Sequence, residues 1–217
     1  MSHDTTRDRI LIAAGPIFAR QGFRKTTVRE ICDAAGVNLA SINYYFGDKQ
    51  KLYSETLLRA QEMRAQQFPE PTFDPTTSPA EKLKSIINTL LHRLMAMQSE
   101  PWEVRLMMRE ILQPTAASQD LLEKRFRPFF ELLLSVVDEL VGERLTNAQR
   151  QQIGFSIIGQ CLHYRTSAEM ISMMITELEF QRDFQVDQLT EHITEFSLGA
   201  IEGLRHRHHS NILSTQT

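Results

Sequence analysis

Cysteine is nearly absent: Cys32 and Cys161 are the only two in 217 residues. That excludes a disulfide framework and the small secreted scaffolds that depend on one. Long apolar runs are missing too, and no stretch approaches the roughly 18 uninterrupted apolar residues of a membrane span. The opening MSHDTTRDR is charged with no apolar segment behind it, which speaks against a secretory signal. A soluble, cytoplasmic protein with no membrane partner is expected. The equipment of common catalytic sites is also lacking. There is no phosphate-cradling glycine loop, no HExxH and no CxxC. No glutamate has a histidine three residues on, as a di-iron bundle needs. The chain is therefore read as a binding protein and not an enzyme, with no catalytic residue, no metal ligand set and no cofactor.

Charge of one sign is not in large excess. The net charge is −3, with a modest internal asymmetry. Residues 1–60 hold nine Lys and Arg against six Asp and Glu, and the rest hold fifteen against twenty-one. A basic N-terminal part on an acidic body suggests that only the former meets a polyanion. Hydrophobic residues at 41% and charged residues at 24% suit a packed globular chain.

Runs that alternate with period two are few, and nearly every periodic segment repeats like a helix, so an all-α fold is expected. The clearest break is FPEPTFDPTTSP at 68–79, with four prolines in twelve residues. Proline removes a backbone donor and biases its predecessor away from helix. A helix must end near Gln67, and another starts after Ser78 with Pro79 in its first turn. We divide the chain functionally into 1–60 and 61–210.

Punctuation is dense before the break. Helix 1 runs from about Asp4 to Arg20, with Ile10, Ala13, Ala14, Ile17 and Phe18 on one face, and Gly22 supplies its C-terminal turn. Thr26 or Thr27 caps helix 2, with Glu30 completing a capping box. Gly36 allows a tight turn, and Asn38 caps a third, short helix to about Phe46. Asp48 caps a fourth, to about Gln67. Helices 2 and 3 flank a glycine-containing turn whose corner is packed by Ala34, Ala35, Val37 and Ile42, which is helix-turn-helix spacing. The second helix of such a pair can enter a major groove about 12 Å wide. Beyond the break, helices are expected at 79–99, 101–112, 118–141, 146–164, 167–181 and 187–207, with a frayed tail from Arg205.

The residues that carry a resemblance run without interruption. They are Ile12–Ala13–Ala14 with Phe18 and Gly22–Phe23, then Thr26–Thr27–Val28 and Ile31. Ala34–Ala35–Gly36–Val37, Tyr45–Phe46, Lys49 and Leu52–Tyr53 follow. From about Asp8 to Leu58 the chain resembles the DNA-binding domain of the TetR family of bacterial transcription regulators. The pattern NxAxINYYFGxK with the later MMREILQPTAA is similar to one subgroup of that family. The resemblance implies an N-terminal helix-turn-helix three-helix domain and a C-terminal helical domain for dimerisation and ligand binding. It departs from the family at Asn43, where a tyrosine is usual, at Ala40, and at Asn38 in place of a serine cap. Asparagine can read adenine bidentately, so the operator sequence is not transferable.

Roles follow from geometry and the resemblance together. Ile42, Tyr45 and Phe46 should face the core. Leu39, Ala40, Ser41, Asn43 and Tyr44 should face the groove, with Asn38 as the cap. Thr27 can offer its hydroxyl and backbone N–H to a phosphate. Lys49 should pair with a phosphate as the family's lysine does, and Lys25 and Arg29 can add backbone contacts. The implied partners are double-stranded DNA and a second copy of the chain. The homodimer would pair helices near 146–164 and 187–207. Their apolar stripes are Ile153, Ile157, Ile158 and Cys161, then Leu189, Ile193, Phe196, Ala200 and Leu204, with Gly154, Gly159 and Gly199 permitting close approach. A small apolar or amphipathic effector is implied as well, with Trp102, Arg105, Met108, Arg109, Phe130 and His163 as pocket candidates. Many methionines, among them Met95, Met97, Met107, Met170, Met173 and Met174, can line a pocket or simply fill core. The rival reading is a helical adaptor that binds protein rather than DNA. A steep salt dependence of binding would separate the two.

Overall fold

The computed structural model describes residues 3–95, 101–142 and 145–214, and side chains within 6–205. Among the described residues the secondary structure is helical, with no strand. The N-terminal helices are α1 (His3–Lys25), α2 (Val28–Ala35), α3 (Leu39–Phe46) and α4 (Lys49–Gln67). After the proline-rich break come α5 (Pro79–Leu94), α6 (Trp102–Leu112) and α7 (Ser118–Leu121). A π-helical turn at Leu122–Phe126 leads to α8 (Arg127–Val141). The remainder is α9 (Asn147–Thr166), α10 (Ala168–Met174), α11 (Glu177–Asp183) and α12 (Val186–Ser214).

Local chemistry sets these limits. Thr27 caps α2 in a reciprocal box with Glu30, and Asn38 and Asp48 cap α3 and α4. Gly36 takes φ 63°, ψ 41° at the end of α2, the left-handed conformation that spares glycine the Cβ penalty. Ser78 and Glu81 form a second box in front of Pro79, and Thr146 and Gln149 a third. The segment expected as one helix over 167–181 is two. The pattern is interrupted because Thr176 starts a new helix with its own box to Glu179. The tail expected to fray from Arg205 instead continues α12 to Ser214. Met97 and the side chains of His206, His208 and His209 lie outside the described residues.

Packing divides the chain into two compact units. One comprises 1–69 with 96–128, the other 70–95 with 129–217. Packing thus does not follow the sequence-contiguous cut at residue 60. Helices α6 and α7 share a core with α1–α4, built from Ile10, Phe18, Ile31, Ile42, Leu52 and Tyr53 with Leu106, Met107 and Leu121. Trp102 lies so close over Gly15 of α1 that a Cβ there would collide with its indole ring. Met107 and Met108 are buried, so here methionine fills core.

In the second unit α5 packs on α12 and α9. Its buried residues include Leu83, Ile87 and Leu91 of α5, Leu133 and Val137 of α8, Ile157 and Cys161 of α9, and Leu189 and Ile193 of α12. Gly154 admits the Phe130 and Leu134 side chains of α8, which a Cβ would meet at 2.7 and 2.8 Å. Polar ties between helices include Lys82 to Glu139 at 2.7 Å and Arg150 to Asp138 at 2.9 Å. The Asn88 amide donates to Thr190 Oγ1 at 3.2 Å.

Candidate nucleic-acid interface

The placement of α3 follows from which of its residues the core takes. Ile42 is 1% and Phe46 5% exposed, and Tyr45 packs half-buried on the same core. The opposite side is left to solvent: Leu39, Ala40, Asn43 and Tyr44 are exposed and Ser41 is half-buried. The Asn38 Oδ1 accepts from the Ser41 N–H at 3.0 Å and from its hydroxyl at 3.1 Å. Asn38 and Ser41 therefore serve the cap. Ala34, expected in the corner between α2 and α3, is exposed, while Ala35 is buried. The Arg9 guanidinium reaches from α1 to the Ala35 carbonyl at 2.7 Å and closes the end of α2. No local spacing announces that contact, because the two residues are 26 apart.

Thr27 lies at the start of α2, as expected, but both groups meant for a phosphate are occupied. Its N–H donates to Glu30 Oε2 at 2.8 Å and its hydroxyl at 2.9 Å. These bonds, the backbone one foremost, hold the Glu30 carboxyl below its ordinary range. A phosphate that takes the Thr27 donors must displace a carboxylate from them. Lys49, in the first turn of α4, is half-buried. Its ammonium sits 4.6 Å from the centre of the Phe23 ring and 3.5 Å from the Arg24 carbonyl. Lys25 and Arg29 are exposed. Phe23 is the residue that sequence reasoning missed. Its place after Gly22 was noted, but its ring's use as a seat for Lys49 depends on a tertiary contact.

The six effector candidates do not share one unit. Trp102, Arg105, Met108 and Arg109 all belong to α6. Trp102 packs over Gly15, Met108 is buried, Arg105 is exposed, and the Arg109 guanidinium donates to the Arg20 carbonyl at 3.3 Å. Phe130 and His163 belong to the second unit. Phe130 stacks on Phe155 with ring centres 4.6 Å apart, and His163 is exposed with Nδ1 3.3 Å from the Ser167 hydroxyl.

The second unit offers a groove between α9 and α12 of about 330 Å³, lined among others by Ile153, Ile157, Gln160, Phe196, Ala200 and Leu204. Phe155 and Phe196, one on each helix, are both 61% exposed. Cβ atoms on Gly159, Gly199 and Gly203 would meet nothing. Cys161, expected in an interface, is instead fully buried inside the unit, and burial pushes its thiol up to about 12.

Comparison with known proteins gives two matching families. Residues 10–56 match the family described as bacterial regulatory proteins, tetR family. Residues 79–201 match the family described as HTH-type transcriptional dual regulator CecR, C-terminal domain. The chain is 34% identical over 80 residues to the HTH-type transcriptional repressor KstR2 of Mycolicibacterium smegmatis, covering 37% of this chain and 38% of that one. It therefore spans well under half the length of that relative. It is 25% identical over 177 residues to the HTH-type transcriptional dual regulator CecR of Shigella flexneri, with 77% and 79% covered. Among solved structures, AibR in complex with isovaleryl coenzyme A and operator DNA has a TM-score of 0.64 at 14% identity, covering 88% of this chain and 97% of that one. At that identity the likeness concerns the fold alone.

Proposed function

Since the chain belongs to the TetR family of bacterial regulatory proteins, with a C-terminal domain of the CecR kind, we propose that it is a sequence-specific DNA-binding transcriptional regulator. It acts by binding and not by catalysis, in the cytoplasm, as a homodimer on a near-palindromic operator. No described helix is long and apolar enough to cross a membrane. One observation carries the reading: α3 buries Ile42 and Phe46 and turns Leu39, Ala40, Asn43 and Tyr44 outward. An outward helix of this size suits a major groove. Asn43 is the base reader, Tyr44 and Leu39 supply apolar contact, and Lys49 and Thr27 hold phosphates. Lys25 and Arg29 add to the phosphate contacts.

Dimerisation through α9 and α12 is supported by the exposed Phe155 and Phe196, the open glycines and the groove between the helices. The Ser197 hydroxyl, buried without a hydrogen-bond partner among the described residues, gives that face an unused polar group. Two readers about 34 Å apart, one helical turn, would then meet successive major grooves. A small apolar or amphipathic effector is part of the proposal, with Trp102, Arg105, Met108 and Arg109 as candidate side chains in the first unit, or Phe130 and His163 in the second. The acyl-coenzyme A of the structural neighbour AibR supports trying that ligand class first. Repression is proposed from the naming of KstR2, while the CecR relative is named a dual regulator. A reporter assay should therefore be able to register either sign.

The test is selection of bound duplexes from a random-sequence pool at low salt. An enriched near-palindrome is expected. A folded protein that enriches nothing would overturn the DNA reading and move the helical adaptor to first place.

A further inference from the structure

The DNA-facing lysine is joined to α6 by a line of contacts inside one compact unit. Lys49 rests its ammonium 4.6 Å from the Phe23 ring centre. Phe23 lies against Tyr53 with ring centres 5.1 Å apart, and Phe18 meets the same Tyr53 ring edge-on at 4.8 Å. Tyr53, 1% exposed, donates its hydroxyl to Glu110 Oε2 at 2.8 Å. Glu110, 2% exposed, is held in turn by the turn after α6. Its Oε1 accepts from the Thr115 N–H and hydroxyl, each at 2.8 Å, and from the Ser118 hydroxyl.

Each link has a physical reason to be stiff. A carboxylate that receives four donors in a dry site has few alternative positions, because any other would strand a buried polar group. Burial, then the bond to Glu110, pushes the Tyr53 phenol above its ordinary range, so it stays a donor. A ring wedged between two others cannot turn without leaving a void. Lysine on a flexible stem loses rotamer entropy when it binds a phosphate. A lysine already seated on an aromatic face has spent part of that entropy in folding.

We propose that Glu110, Tyr53 and Phe23 are positioning residues that present the Lys49 ammonium to a DNA phosphate. The inference rests on the DNA-binding reading and adds to it residues that touch no DNA. A contact line alone is weak warrant for energetic coupling, so the test measures coupling directly.

Affinity for the selected operator is measured as a function of salt for wild type, Lys49→Ala, Phe23→Leu, Tyr53→Phe and the double variants with Lys49→Ala. Thermal unfolding of each confirms the fold. Lys49→Ala should weaken wild type about tenfold and lower the salt slope by about one. Phe23→Leu keeps the charge and most of the apolar volume, yet should lose severalfold in affinity. In that background Lys49→Ala should cost less than about threefold. Tyr53→Phe keeps the ring and removes only the tie to Glu110; it should fall between wild type and Phe23→Leu. The same Lys49→Ala loss in all backgrounds would overturn the proposal. A wild-type affinity unmoved by Lys49→Ala, with the operator still bound, would overturn it as well while leaving the regulator reading standing. An absence of operator binding by wild type would instead overturn the reading on which both rest.

Discussion

Asn43 is exposed on a helix whose opposite side is locked by Ile42 and Phe46, so its side chain can change without disturbing the core. Asn43→Ala is expected to leave the unfolding temperature unchanged and to cost about 1–3 kcal/mol of discrimination between operator and scrambled duplex. Competition binding with both duplexes measures this, and equal loss on both would remove Asn43 from the base-reading role. Gly15 shows the opposite constraint. An added methyl would meet the Trp102 ring, so Gly15→Ala should destabilise by about 1–3 kcal/mol, although alanine is the better helix former. Denaturant unfolding checks it, and Trp102→Leu in the same chain should abolish the penalty. A penalty that persists would place the strain elsewhere.

The helices begin where short side chains meet the next turn's carboxylates. Thr27 with Glu30, Ser78 with Glu81 and Thr176 with Glu179 are reciprocal boxes whose glutamates are all held below the ordinary value of 4.5 by those hydrogen bonds. A carboxyl lowered by folding stabilises the protein above its unfolded value, and the gain is lost as pH falls through the lowered value. Substituting all three glutamates by glutamine should therefore lower stability above about pH 4.5, and the difference from wild type should shrink on further acidification. Unfolding midpoints from pH 7 to pH 3 test this. A constant difference would mean that the boxes act through shape alone. The Thr146–Gln149 box, which has no titrating group, is the built-in control.

The Thr27–Glu30 box spans four residues and was legible in the sequence, as were the caps Asn38 and Asp48 and the outward residues of α3. The Thr176 box was present too, but an apolar pattern continuing through Met174 and Ile175 masked it. What could not be read is tertiary. Arg109 reaches the carbonyl of Arg20, 89 residues away, and Tyr53 finds Glu110 across 57. No periodicity encodes such pairs. Of the pocket candidates on α6, Trp102 packs over Gly15 of α1, Met108 is buried, and Arg109 reaches the Arg20 carbonyl.

For the molecule as a whole, the basic balance of residues 1–60 and the acidic balance of the rest have a mechanical meaning. On the proposed DNA-binding reading, phosphates attract residues 1–60 and repel the remainder, which favours approach by the N-terminal helices. The exposed phenylalanines at 155 and 196 are the natural place to separate the proposed copies. Phe196→Glu should yield a helical monomer by sedimentation and weaken binding to the full palindrome far more than to a half-site. A dimer that survives the change would exclude α12 from the interface. Trp102 is the chain's single tryptophan, and it lies over Gly15 where α6 meets α1. The unlabelled protein therefore carries its one indole where α6 packs on α1 inside one compact unit. Its emission spectrum gauges that packing by itself, and any change that opens it to water will shift the emitted light to longer wavelength.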